Sequence, residues 1–595
     1  MVYVGVTAID LWFLGGEKIR LNSDRSFYLY NAFVTTSESK NSDWKIHSRE
    51  VGVTKKSYLE AKNVTFRFFE TPILWLPYFK SNLKLFSESP VRYKMDWDKG
   101  LWPKFSMRYR VYSWEQLDLY FRLNVRPSKG VGGALESDYR SFNKQTHFRT
   151  RSYLDHDAFY RDTNPDKART HYRLQGIYTA KSEDERSHLY ASYDWLSDKN
   201  MQTDFGSEDF ELNTAKQTRL EIRNFQNWMI FGIDGNFRIN GFEGMRQRLP
   251  EAFWTPKSFT LGDSGIISEN RLKVAYLDYV SAKEIEPAVP DFNAARLSAQ
   301  STLYRPFVYR GFTLTPLVGI EGVFYGNSQQ DRPAALGALI YELLLDLTLK
   351  RNYKTFRHTL QPYINYEGMS HPTISPSTPY IFSIQDGFNR LNVIKSGIRN
   401  LFYNKKTPLF EPNIIADLYT YAFFGDQTFS KTVPKMGGDF IWNFPSWKLS
   451  SYIRWNIEKE VLDYANLSLA WTINQNFAFK TEFRHRSRFD WRKDSPNNFI
   501  MEVTRDISEL VHSPLSDGRN TLLSRLQIKI APQWIARLES HIGWGRGGKP
   551  SYNEAKFDLI TMISTSWRLR LSFTHSPAPE NKNDRFTFGL SLVKK

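Results

Sequence analysis

Residues 467–486 read LSLAWTINQNFAFKTEFRHR. Leu467, Leu469, Trp471 and Ile473 share one face of an extended chain and lead into Asn474-Gln475-Asn476. The return strand puts Phe477, Phe479, Thr481 and Phe483 on one side, and Lys480, Glu482, Arg484 and Arg486 on the other. Alternation with period two is the mark of a strand with one apolar and one polar face. The stretch therefore reads as a complete hairpin with long arms.

The same pattern runs outward in both directions. Leu117, Leu119, Phe121, Leu123 and Val125 alternate with Asp118, Tyr120, Arg122, Asn124 and Arg126. Phe312, Leu314, Pro316, Val318, Ile320, Gly322 and Phe324 share a face, as do Trp534, Ala536, Leu538, Ser540, Ile542 and Trp544. Trp567, Leu569, Leu571 and Phe573 oppose Arg568, Arg570, Ser572 and Thr574 before the terminal Phe586–Val593 segment. Many of these strands need about 9–11 residues, the length of a tilted strand crossing a bilayer. Short turns alternate with longer polar segments such as Ser182–Ser187 and Ser487–Asn498. Trp114, Trp195, Trp471, Trp534, Trp544 and Trp567 lie near strand ends, as interfacial girdles require. Pro316 and Pro362, inside strand patterns, predict bulges. A soluble sandwich array or propeller also alternates, but a propeller carries a repeat of about 20–50 residues, and the chain has none.

Composition agrees. Among 595 residues, Lys+Arg is 80 and Asp+Glu 63, a net charge of +17, and 16% are aromatic. No segment approaches the roughly 20 uninterrupted apolar residues of a spanning helix. Ala334–Leu349 is broken by Glu342 and Asp346. The aromatic load excludes disorder, and the absence of Cys excludes disulfides and thiolate sites. The expected fold is all-β: a large antiparallel transmembrane β-barrel over 104–595, a junction at 86–103, and a partial periplasmic β-jellyroll over 1–85. At roughly 20 residues per strand and connection, the barrel has about 22–26 strands.

The first hundred residues differ. Ile73-Leu74-Trp75-Leu76 is apolar on both faces, and Phe66, Phe68 and Phe69 crowd one stretch. Met1–Val6 reads as a strand already under way, without the features of an export signal. The natural chain is therefore expected to begin upstream.

Several motifs resemble the LptD family of outer-membrane lipopolysaccharide-assembly (organic-solvent-tolerance) proteins of Gram-negative bacteria. Asn31–Thr36, Asp43–Ile46, Ala61–Val64 and Pro72–Phe79 are similar to its N-terminal jellyroll. Asp194–Asn200, Gln247–Glu251, His358–Pro362 with Tyr366, and Asp386–Arg390 follow in the family's order. Ser37 stands where the family usually has Cys, and Pro90–Lys94 replaces the expected segment after Phe79. The match is thus to a divergent, cysteine-free member.

The resemblance implies a translocon rather than an enzyme. Lipopolysaccharide would arrive from a periplasmic LptA-like bridge and leave through a lateral gate between the first and last barrel strands. An LptE-like lipoprotein would plug the lumen, and the barrel-assembly machinery would insert the chain by its C-terminal strand. Phe66, Phe68, Ile73 and Trp75 are the candidates for lining a dry lipid path, alongside an ordinary core role. Pro90 and Pro103, which donate no ladder hydrogen bond, flank an expected first strand at Lys104–Tyr112 and are the gate candidates. Arg484, Arg486, Arg568 and Arg570 alternate with apolar residues and so face the lumen, where guanidinium groups suit phosphates.

Other functions leave weaker traces. The 11 histidines form no HExxH or other metal spacing, so no metal, cofactor or catalytic residue is expected. The basic aromatic stretch Arg484–Arg492 lies in a strand context, and no nucleic-acid partner is expected. An outer-membrane porin or transporter for small solutes is the alternative. A secreted β-rich enzyme or adhesin is the third reading.

Overall fold

The computed structural model describes residues 13–23, 26–35, 44–53, 58–68, 70–82, 91–98, 103–113, 116–127, 130–157, 169–198, 201, 218–282, 290–328, 331–374, 390–406, 411–425, 429–487, 519–545, 551–562, 567–577 and 582–592. Side chains of Phe13, Leu14, Trp44, Tyr58, Phe68, Ser81, Asn82, Val91, Asp96, Asp98, Ser113, Trp567, Ser576, Pro577 and most of Lys582–Leu592 are not described.

From Val91 onward the strands form one closed antiparallel ring, each pairing with the next and the last with the first. Three short segments, Phe259–Thr260, Phe307–Tyr309 and Leu349–Asn352, continue the strand before them past a break. The ring thus has 26 strands. No described helix is long and apolar enough to cross a membrane; the crossing is made by strands. Alternation decides which way each side chain points. Phe121, Leu135, Leu154, Ile320, Ile398, Leu418 and Leu538 are exposed on the outside, where hydrocarbon covers them. Their sequence neighbours Arg122, Glu136, Asp155 and Asp417 point inward and are buried. This is an outer-membrane protein.

The ring closes between Val91–Asp98 and Lys582–Leu592, in a register running from Arg92↔Ser591 to Asp98↔Arg585. Met95 and Trp97 meet Phe588 and Phe586 on the outer face, and Tyr93 stands in register with Leu590. A slip of one residue would turn Arg92 and Lys94 toward lipid, so the apolar pattern fixes the register. The first barrel strand is therefore not Lys104–Tyr112 but Val91–Asp98, inside the expected junction. Its alternation was hidden by shortness and by the prolines on either side. Pro103 precedes the second strand, Lys104–Ser113, and Pro90 lies outside the described residues.

Connections segregate by length. One end carries tight links such as 474–477 and 531–534; the other carries 196–218, 369–391 and 486–519. Short turns face the periplasm in such barrels. Ser182–Ser187, expected among the long connections, lies at the turn end, and its hydrogen bonds explain why: Ser182 N donates to Ser187 O at 2.9 Å and Ser187 N to Ser182 Oγ at 2.9 Å. Of Ser487–Asn498, only Ser487 is described; it leaves a strand at the loop end. Trp228, Trp471 and Trp534 ring the turn end, and Trp97, Trp195, Trp455 and Trp544 the loop end, all exposed. Trp114 lies outside the described residues. Pro316 and Pro362 make no bulge. They face the breaks at 305–306 and 348, where the neighbouring strand has no ladder bond to lose.

The N-terminal residues form a six-stranded antiparallel sheet, Phe13–Gly15, Lys18–Leu21, Phe27–Thr35, Trp44–Val53, Tyr58–Phe68 and Thr71–Asn82. Its four long strands pair in sequence order, a meander rather than the expected jellyroll, because each connection returns the chain beside the strand it has just left. A row of irregularities crosses it: the register passes over Asn31, Arg49 and Asn63. Asn31 and Asn63 take positive φ, 46° and 52°, which Asn tolerates better than most residues. The register is the same on both sides of this row, but the alternation changes phase across it in every strand, so that Leu29, Val51 and Ala61 on one side of it, and Val34, Ile46, Val64 and Phe66 on the other, reach one buried core. Leu74 and Leu76 pack on it, while Ile73 and Trp75 face away and are 51% and 60% exposed.

That core does not end at the sheet. Tyr93 and Tyr109, on the outer face of the first two barrel strands, pack into it, and Tyr109 is 8% exposed. A shared apolar core joins sheet to barrel in a chain without cysteine. Phe66→Ala is expected to remove about 3–5 kcal/mol from the sheet. It should appear as early loss of sheet protection in hydrogen exchange, with the heat-modifiable gel shift of the barrel unchanged.

Candidate functional site

The inner wall of the ring is where this chain concentrates charge, and its sign and burial change around the circumference. One arc spans Lys104–Ser113 to Met245–Pro256. Glu136 accepts Nε–H bonds from Arg108 and Arg122, both at 2.8 Å. Arg173 grips Asp194 bidentately, at 2.9 and 2.7 Å. Asp234 takes Arg219 at 2.8 Å and Arg248 at 2.6 Å. Arg126 pairs with Asp155, which also accepts from the Tyr153 hydroxyl, and Asn124 donates to that hydroxyl at 3.2 Å. Most of these partners are buried: the Arg173 and Arg122 side chains are 2% and 7% exposed, while Arg219 and Arg248 keep 27% and 23%. The pairs brace the wall.

A second arc, from Phe477–Arg486 across the closure to Val91–Asp98, is also basic but open. Arg484 is paired with Glu482 at 2.6 Å, Arg525 with Glu539 at 2.8 Å, and Arg570 with Asp558 at 2.8 Å. Their side chains remain 55%, 61% and 48% exposed. Arg568 and Lys529 are exposed on the same face, and Arg92 and Lys94 carry the charge past the closure. In this arc inward cations outnumber inward carboxylates. The four arginines expected in the lumen all face it, with Arg486 half-buried and engaged with its surroundings.

Between these arcs the wall changes again. Leu277, Ala294, Val323, Leu336 and Ala338 form an inward apolar cluster toward the loop end. Beside it Lys395 lies 4.4 Å from the Tyr419 ring centre, Tyr363 donates to Asp417 at 3.1 Å, and Arg454 pairs with Asp439 at 2.6 Å. The described residues hold no cluster of three or more His, Cys, Asp or Glu fit for a metal ion.

The other candidates fall apart spatially. Phe66 is in the core of the N-terminal sheet; Ile73 and Trp75 are on its opposite, exposed face. Phe68 has a described backbone only. The buried lattice was not foreseen. Its signal was present, since Arg122, Glu136, Asp155, Arg173 and Asp194 all occupy the polar face of their strands. Pairing, however, depends on strand register, which a single strand does not reveal.

No protein-family model matches the chain, and no curated protein matches it. Among solved structures it is similar to the siderophore receptor PirA from Pseudomonas aeruginosa, at 10% identity over 85% of this chain and 80% of that one, TM-score 0.29. The FrpB iron transporter from Neisseria meningitidis (F3-3 variant) aligns at 8% identity over 85% and 81%, TM-score 0.33. The ferric-catecholate import receptor Fiu from E. coli K12 aligns at 8% identity over 92% and 86%, TM-score 0.30. At these scores the likenesses carry no argument about what this chain does.

The LptD assignment is corrected by these findings. Neither a family model nor a curated protein bears it out. With it fall the partners it implied: lipopolysaccharide, the LptA-like bridge and the LptE-like plug. The motifs behind it serve general strand geometry. Gln247–Glu251 lies at a register shift, Asp194–Leu196 ends a strand at the loop end, and His358–Pro362 is the start of a strand. Of Asp386–Arg390, only Arg390 is described.

Glu136→Leu should leave the Arg108 and Arg122 guanidiniums buried without their shared carboxylate, costing about 3–5 kcal/mol. Glu482→Leu, at an exposed pair, should cost less than about 1 kcal/mol. Urea unfolding of the two variants in phospholipid vesicles checks the contrast.

Proposed function

We propose that this chain is an outer-membrane porin or transporter for small solutes, and that those solutes are anionic. The observation that carries the reading is the open basic arc. Arg484, Arg525, Arg568 and Arg570 face the lumen and are all exposed. Cations on one wall of a low-dielectric passage raise the local concentration of anions, and guanidinium groups bind phosphate or carboxylate through paired N–H donors. The buried lattice, which begins at the next strand, keeps the wall rigid without competing for solute. The reading requires no covalent chemistry.

A second reading rests on a different observation. The apolar core of the N-terminal sheet continues onto Tyr93 and Tyr109, beside the ring closure. An apolar solute held around Phe66 would have a continuous dry surface toward the membrane. Of the lipid-path candidates, Phe66 fits this route, and Ile73 and Trp75 lie on the wrong face. Pro103, at the loop end of the hairpin that includes the closing strand, would then limit how firmly that hairpin is held.

For the first reading, the full chain in a planar bilayer under a potassium chloride gradient should show a reversal potential of anionic sign. Arg568→Glu with Arg570→Glu should move it toward zero or beyond. Cation selectivity in the unsubstituted chain contradicts the proposal.

A further inference from the structure

Three neighbouring hairpins at the turn end are longer than the membrane requires. Each carries a strand segment beyond a break: Phe259–Thr260, Phe307–Tyr309 and Leu349–Asn352. Two of the breaks face Pro316 and Pro362, so the sequence itself sets where the ring ends and the extension begins. Other turns at this end, such as 443–447 and 474–477, stop at once.

The extensions form a ledge on one side of the barrel. Register places Phe307 and Tyr309 opposite Leu314 and Phe312, on the lipid-facing side. Phe307, Tyr309 and Leu349 are exposed, and so is Phe259 on the first extension. Three rings of the ledge come with a cation. The Arg305 guanidinium lies 4.8 Å from the Phe307 ring centre, Arg310 lies 5.2 Å from Tyr309, and Arg351 lies 5.2 Å from Tyr353. Lys350, Lys354, Lys405 and Lys406 are exposed beside them. Among the described residues, none of the three arginines has a carboxylate partner. On the tips the nearby acids are few, and Glu269 is already engaged by the Tyr304 hydroxyl at 2.9 Å.

Rings that face lipid just past the strand ends sit at headgroup depth. A guanidinium held against such a ring is fixed at the depth of the phosphates. We infer that this ledge binds the headgroups of anionic phospholipids in the periplasmic leaflet, and that it anchors one side of the barrel to them. The site is distinct from the lumenal arc and does not depend on which solute the lumen carries.

The test uses the full chain in a nonionic detergent, with lipid retention read by native mass spectrometry. Phosphatidylglycerol should be retained at least about fivefold better than phosphatidylcholine, as clustered basic residues near a membrane surface imply. Arg305→Gln with Arg310→Gln and Arg351→Gln should abolish most of that preference. Removing three loop-end cations, Arg332→Gln, Lys431→Gln and Lys459→Gln, should leave it intact. Should the arginine variant fail to show the heat-modifiable gel shift of a folded barrel, Lys350→Gln with Lys354→Gln and Lys405→Gln probes the same ledge. Equal retention of the two lipids overturns the inference, and a ledge that serves an acidic soluble protein would give that result. A preference that survives the ledge substitutions, or falls equally with the loop-end ones, overturns it too.

Discussion

Backbone N–H and C=O groups cannot be left unpaired in hydrocarbon, since each costs several kcal/mol there. A sheet that enters a bilayer must therefore have no edge. In this chain that demand falls on one pairing, Val91–Asp98 with Lys582–Leu592. Residues separated by nearly the whole sequence have to meet in one register. They do so because Tyr93, Met95 and Trp97 present the same apolar period as Leu590, Phe588 and Phe586. Everything inside the ring, including which charges face the lumen, follows from that alignment.

Closure also explains how the two parts of the molecule are joined. The strand that completes the ring and its neighbour carry Tyr93 and Tyr109 on their outer faces. The N-terminal sheet covers these two rings with its own core. One pair of strands thus serves both the seam and the attachment, without a disulfide. The charge pattern has a similar economy. Where carboxylates match arginines in register, as at Glu136 and Asp194, the wall is buried and stiff. From Phe477–Arg486 to the closure the arginines are paired too, but they stay exposed and cations outnumber carboxylates, so the wall is open and basic.

Much of this was legible in the alternation of single residues. The hairpin at 467–486 is present, with Leu467–Thr472 pairing Ala478–Phe483 and the register shifting over Ile473 before the turn, and lumenal arginines followed directly from period two. Three things were not legible. The strand at Val91–Asp98 was too short, and too closely bracketed by Pro90 and Pro103, to stand out. The alternation of the N-terminal sheet changes phase at Asn31 and Asn63, where the facing strands each pass over one residue and the register itself is unchanged, so a reading by period two loses its phase there. Apolar residues on both faces of Ile73–Leu76 therefore read as one interior, when only Leu74 and Leu76 belong to it. Finally, short motifs suggested a family that the comparisons do not support. Turns and strand ends reuse the same few residue types, so their order along a chain is a weaker constraint than a register.

The central claim is that register at the closure. The chain has no cysteine of its own, so a pair introduced by Lys94→Cys and Gly589→Cys reports on it directly. Oxidised in intact outer membranes, these opposed positions should form an intramolecular disulfide that changes migration after denaturation. Absence of that crosslink, with efficient crosslinking of Lys94→Cys to a position elsewhere in the chain, would mean that the ring is closed otherwise or left open.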